Sequence, residues 1–297
     1  TRFDGAAWQI ETVDNGYYAG SYISLALDSA DRPQISYRAD MALKYARYDG
    51  AAWQIETVDD SGLYTSLALD ATDRSHISCS DYSNLKYARF DGAVWHIETV
   101  EGGENVGWYT SLALDSADRP HISYYDSTNS ELKYARFDGA AWQIETVDSD
   151  GDVGQYTSLA LDSSDRPHIS YYDYTNGDLK YTRFDGAVWQ IETVGSAGDV
   201  GQYTSLELDS SDWPLISYYD STNTDLKYAR FDGAVWHIAT VDSAGDVGSH
   251  TSLALDSGGL PHISYYDATN GDLKHAWGTY PAYQISLPLV LKGYTFH

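Results

Sequence analysis

The sequence predicts an all-β fold, a six-bladed β-propeller of four-stranded antiparallel blades, on three observations. The first is a repeat. The marker "SLALD" begins at Ser24, Ser66, Ser111, Ser158, Ser205 (there "SLELD") and Ser252, at steps of 42, 45, 47, 47 and 47 residues. The second is that other markers keep the same register: Leu43, Leu85, Leu132, Leu179, Leu226 and Leu273 open "LKYA"-like runs, and Trp8, Trp53, Trp95, Trp142, Trp189 and Trp236 recur in step. The third is that every unit reads as four short strands, with no segment holding a helical period. Four strands at this spacing match one propeller blade, whereas a β-helix needs shorter coils and a single sandwich leaves the repeat unexplained.

The unit around residue 170 justifies each strand in turn. In "TSLALD", Leu159 and Leu161 alternate with Ser158 and Ala160. The proline-bearing turn "SSDRP" leads into "HISYYD", and "TNGD" turns the chain into "LKYTRF". Asp185-Gly186 is a hairpin signal before "AVWQIETV". The chain starts with the second half of a unit, "TRFDGAAWQIETV", and its last unit, "SLALDSGGLPHISYYDATNGDLKHA", lacks that half. Residues 1–13 are therefore expected to complete the last blade and close the ring, removing free strand edges. The propeller spans 1–279, and 280–297 form a tail packed on or beside it. Pro281 and Pro288 weaken the tail as a central strand.

Composition bounds the function. The 297 residues include 27 Tyr and 9 Trp, so the chain folds despite a formal charge of -26. Such acidity makes nucleic acid a poor partner. No run of eighteen apolar residues exists to insert into a membrane. The single cysteine, Cys79, excludes an internal disulfide. A start in mid-repeat without methionine reads as a processed or truncated product whose secretion signal is gone, so an extracellular or cell-surface location, bacterial in type, is expected.

Candidate sites follow from where the copies differ. The loops from fourth strand to next first strand, and from second to third strand, share one face and vary most, which makes that face the expected recognition face. Trp108 falls in one such loop, and symmetry does not require it, so it is a candidate ligand platform. The carboxylates ending "SYYD", Asp126, Asp173, Asp220 and Asp267, and Asn176 beside them, are the other candidate ligand contacts; turn acceptance is their alternative role. In "DSDGDVG", Asp148, Asp150 and Asp152 alternate in a glycine-bearing turn and could hold Ca²⁺, although the full calcium-loop pattern is absent. His76, His121, His168 and His262 share one repeat position that Gln34 and Leu215 fill elsewhere, which reads as structural. The repeated tryptophans read as packing between blades. No catalytic residues are identified from spacing.

The runs "SLALDSSDRPHISYYD" and "LKYARFDGAAW" resemble those of bacterial secreted repeat propellers of the broad sialidase-like type, over nearly the whole chain. The resemblance implies the architecture, and its likeness to lectin propellers implies glycans as ligands. The sialidase pattern Ser-x-Asp-x-Gly-x-x-Trp and an arginine triad have no matching positions here, so no catalytic residue is carried over. The expectation is a noncatalytic binding or scaffold module, recognising glycans or a surface protein multivalently. The alternatives are a polysaccharide-active hydrolase or lyase, and a structural protein–protein assembly module.

Overall fold

Each repeat folds into its own antiparallel sheet because turn residues reverse the chain after strands of six to nine residues. The computed structural model describes residues 2–3 and 8–278. Blade one comprises Ser21–Leu27, Pro33–Ala39, Ala42–Tyr48 and Trp53–Asp59. Blade two comprises Leu63–Leu69, Ser75–Ser80, Leu85–Phe90 and Trp95–Glu101. Blade three runs from Val106–Leu114 through Pro120–Asp126 and Glu131–Phe137 to Trp142–Asp148. Blade four has Val153–Leu161, Pro167–Asp173, Asp178–Phe184 and Trp189–Gly195. Blade five has Val200–Leu208, Pro214–Asp220, Asp225–Phe231 and Trp236–Asp242. Blade six has Val247–Leu255, Pro261–Asp267 and Asp272–Trp277, three strands among the described residues. The fold is the all-β six-bladed propeller, each full sheet ordered as in sequence. The chain divides into two compact units, Thr1–Trp108 and Tyr109–His297.

At the N-terminus Arg2–Phe3 pairs with Trp8–Gln9, setting Arg2 opposite Gln9 and Phe3 opposite Trp8. Blade three pairs Arg136 with Gln143 and Phe137 with Trp142 in the same register. The segment thus forms the tip of a third-to-fourth-strand hairpin. The tail 280–297 lies outside the described residues.

The first strand of blades three to six begins earlier than the sequence pattern indicates. Residues read as loop, Val153 to Tyr156 in blade four, belong to the strand. A bulge between Gln155 and Ser158 accommodates the extra residues, with Tyr156 in the left-handed region at φ 53°. The same shift puts Trp108 inside a strand rather than in a loop.

The core lies between successive blades. Leu132, Tyr134 and Val147 of blade three pack with Val153, Leu159, Ile169 and Tyr171 of blade four. Blades four and five meet through Leu179, Tyr181, Leu206, Ile216 and Tyr218. Each such buried side chain contributes roughly 1.5–3 kcal/mol. The repeated tryptophans seal these interfaces: Trp189 meets Tyr134 edge-on at 5.3 Å and Trp236 meets Tyr181 likewise at 5.3 Å.

Backbones also approach closely. A Cβ on Gly201, whose φ is +105°, would stand 2.7 Å from the Cα of Leu179 in the preceding blade. Gly201→Ala is therefore expected to cost more than 2 kcal/mol in urea unfolding, from clash and backbone strain together. Gly186, at φ +101° with open space around it, supplies the control: Gly186→Ala should cost about 1 kcal/mol, from strain alone. Equal losses would mean that the close approach adds nothing.

Candidate functional site

The turn between first and second strand is built on a buried carboxylate. In blade four, Asp162 Oδ1 accepts the backbone N–H groups of Ser164 (2.8 Å) and Arg166 (2.9 Å). Its Oδ2 accepts Arg166 Nε at 2.6 Å and lies 3.6 Å from His168 Nε2. The other ring nitrogen, His168 Nδ1, is hydrogen-bonded to the Tyr181 hydroxyl at 2.5 Å. Burial opposes ionisation of Asp162, but the backbone donors at Arg166 and Ser164 and the arginine side chain outweigh it and hold the carboxyl below its ordinary value. Burial pushes the His168 pKa down against the pull of Asp162, which favours the neutral ring. Asp115 with His121 and Asp70 with His76 repeat the arrangement. The structural reading of these histidines is the one the geometry gives.

A clasp crosses from the turns of blades one, three and four to the next blade. Ser163 donates its N–H (3.0 Å) and its hydroxyl (2.5 Å) to Asp212, as Ser116 does to Asp165 and Ser29 to Asp73. Between the clasp and the end of the third strand lies a cleft. In blades one and two it measures about 260 Å³ and is lined by Asp28, Arg32, Gln34, Arg47, Asp73 and Arg74 among others.

Blade five breaks this pattern at three points. Trp213 stands where the turn arginine is, and Leu215 where the histidine is. Asp209 keeps its turn bonds from Ser211 (2.8 Å) and Trp213 (3.1 Å) but has neither side-chain partner for its second oxygen. Gly259 of blade six replaces the clasp aspartate, so Ser210 has no carboxylate opposite. The result is an unclasped cleft of about 270 Å³ lined by Asp209, Ser210, Leu215, Arg230 and Ser257 to Gly259. It occupies the same repeat position as the blade one–two cleft.

Behind it stands Glu207, where the other five copies have alanine. Glu207 pairs in register with Leu215, and Leu215 with Arg230, so the three form one row across the sheet that ends in the cleft wall. Burial raises the Glu207 carboxyl to about 7. It is the one acid in this cleft region with such a shift, and Asp209 follows two residues later, just beyond the end of the strand.

The residues singled out from sequence lie at the other end of the blades. Asp173 is fully buried and accepts Asn176 through its N–H (3.0 Å) and side-chain amide (2.9 Å), with Lys180 Nζ at 3.1 Å. Asp126, Asp220 and Asp267 cap the equivalent turns from Asn129, Asn223 and Asn270. Trp108 is half-buried and stacks on Tyr64 at 5.6 Å. The calcium triplet is not brought together. Asp148 is buried and accepts Tyr171 (2.6 Å) and Lys180 (3.3 Å), Asp152 accepts Tyr125 (2.7 Å), and Asp150 is exposed. Among the described residues no group of three or more His, Cys, Asp or Glu is disposed to hold a metal ion. Cys79 is buried, which pushes its thiol up to about 12. Sequence reasoning missed Glu207 and Asp209 as site residues. Their signal was the single copy written "SLELD", followed by Trp213 and Leu215.

No protein-family profile matches this chain, and no curated protein matches it. Solved structures share its fold at low identity. An ulvan lyase of polysaccharide lyase family PL25, bound to -[GlcA(1-4)Rha3S]-, aligns with a TM-score of 0.63 at 12% identity, over 84% of this chain and 78% of that one. The SapL1 lectin in complex with α-methyl fucoside gives 0.58 at 14% identity, over 94% and 98%. A protein of unknown function from Dyadobacter fermentans gives 0.60 at 11%, over 85% and 91%. The propeller is thus a fold shared with several carbohydrate-active enzymes and lectins. Among the described residues no helix is long and apolar enough to cross a membrane.

Glu207 makes a stability prediction. Its folded pKa, about 7, lies above the ordinary 4.5, so the folded state holds an extra proton between those values. Stability is fully present below about pH 4.5 and falls as pH rises towards 7. Glu207→Ala should remove that fall, melting about 2–6 °C higher than the parent at pH 8 and together with it at pH 4. Parallel melting curves across this range would refute the burial of an ionisable Glu207.

Proposed function

We propose that the protein is a polysaccharide-active enzyme, a hydrolase or lyase, working at the unclasped cleft of blades five and six. The observation that carries this reading is Glu207: a carboxyl near neutrality that replaces alanine in one copy only and costs the fold stability at neutral pH. A group with that pKa is part protonated and part ionised at pH 7, which suits it to give or take a proton. Asp209, relieved of its arginine and histidine, offers the second carboxylate that glycoside hydrolysis uses. Arg230 offers a cation beside them, of use to a lyase in holding a sugar carboxylate. Such a protein would meet its polymer outside the cell or at its surface.

A second reading, glycan recognition without turnover, is favoured by the recurrence of the same cleft in blades one and two. Repeated weak sites would then act together on a repeating ligand. The likeness in fold to both lyases and a lectin supports a carbohydrate ligand under either reading.

Incubating the protein with a panel of neutral and acidic polysaccharides separates the two. Enzyme action predicts new reducing ends, or absorbance from unsaturated uronates for a lyase, with the rate lowered at least a hundredfold in Glu207→Gln. Binding with no product and no effect of Glu207→Gln would select recognition instead.

A further inference from the structure

All of the chain's arginines but Arg38 stand at two repeat positions: the turn arginine of "DRP" and the arginine closing "LKYAR", which Arg2 also fills. Both positions fall at the clasp end of the blades. The six lysines among the described residues open the third strand at the opposite end, where Lys86, Lys180 and Lys274 pair with aspartates at 2.7, 3.1 and 2.8 Å. The few positive charges of a chain carrying -26 are therefore sorted by position.

In the cleft of blades one and two, Arg32, Arg47 and Arg74 meet in one wall. Arg32 and Arg74 are each held through Nε by Asp28 and Asp70 at 2.7 Å, with side chains 44% and 40% exposed. This anchors each guanidinium at one end while leaving it partly exposed beside the cleft. Arg47 is exposed and makes no hydrogen bond or ion pair among the described residues. The carboxylates in the same wall are committed elsewhere: Asp49 to the N–H groups of Ala51 and Ala52, Asp73 to Ser29. In blades three and four Arg119 and Arg166 are held by Asp115 and Asp162 at 2.6 Å, and Arg136 is exposed at the position of Arg47. The three arginine positions of the cleft thus recur in blades three and four.

A planar guanidinium held at one edge presents a fork that matches the oxygens of carboxylate or sulfate, and pairs so formed are stronger than neutral hydrogen bonds. We propose that these three-arginine clefts bind the acidic groups of a polysaccharide, so that the glycan this protein takes carries carboxylate or sulfate rather than being neutral. The inference rests on the carbohydrate reading above, but not on whether the glycan is cleaved. A repeated cleft suits a polymer whose charge repeats. In blade five, where Trp213 and Leu260 replace the turn arginines on either side, Arg230 alone remains, which separates the gripping clefts from the unclasped one.

The test is isothermal titration of the whole protein against matched pairs of polymers: polygalacturonate and its carboxyl-reduced form, and a sulfated galactan and its desulfated form. One acidic member should bind at least tenfold more tightly than its neutral partner, and which pair responds identifies carboxylate or sulfate. Arg47→Gln and Arg136→Gln, at exposed positions, should leave the melting temperature unchanged and weaken that binding about tenfold each. Arg47→Lys should restore less than half of the loss on a logarithmic scale. Equal binding of acidic and neutral forms, or indifference to both arginine variants, overturns the inference and leaves the carbohydrate reading intact. Failure to bind or cleave any glycan, neutral ones included, overturns both. Equally tight binding of single-stranded DNA would reduce the clefts to unspecific charge and also overturn it.

Discussion

Within each compact unit a blade depends on the face its neighbour presents. A four-stranded sheet of seven-residue strands cannot cover both of its own apolar faces, and here the buried leucines, isoleucines and tyrosines of one repeat find their partners in the next. The dependence extends to the backbone, where glycine lets one first strand pass within contact of the preceding third strand. It also extends to charge, because Asp148 and Asp242 at the ends of outer strands accept hydrogen bonds from the tyrosine and lysine of the following blade. The interface must be rebuilt at each repeat, so the same residues return at the same spacing. That requirement accounts for most of the sequence.

Departures from the repeat are informative against this background. A position that packs between blades has a narrow choice of residues, and alanine fills the site of Glu207 in every other copy. Replacing it with a glutamate that burial drives towards neutrality lowers stability at neutral pH, with no partner to offset the loss. The neighbouring changes at Trp213, Leu215 and Gly259 each remove an interaction that the sister blades keep. The departures from the repeat thus gather at one cleft, where they remove interactions that the sister blades keep.

The charge of the protein has the same two levels. A total of -26 describes solubility and long-range repulsion, and from it alone an acidic ligand is disfavoured. At contact distance the distribution decides. Most aspartates are turned onto backbone N–H groups in their turns, where they neutralise helpless donors rather than project into solvent. The arginines of the clasp end are anchored beside them and partly exposed. The net sign of a surface and the sign of a cleft in it are therefore separate quantities.

The sequence by itself determined the architecture: six units, four strands each, the order of the strands and the hairpins that join them. It did so because strand period and turn chemistry are local, and because three markers kept one register across every copy. It also marked the histidines as structural and the tryptophans as inter-blade packing. Only the tertiary structure decided which blade end holds the clefts and what each carboxylate faces. Asp173 and Asp209 are both aspartates at strand ends, yet one is sealed onto Asn176 and Lys180 while the other lines an open cleft. Asp173 is closed off by its own blade, whereas the cleft at Asp209 opens partly because Gly259 of the next blade leaves Ser210 without a carboxylate, and that pairing across blades is a property of packing that no local pattern records.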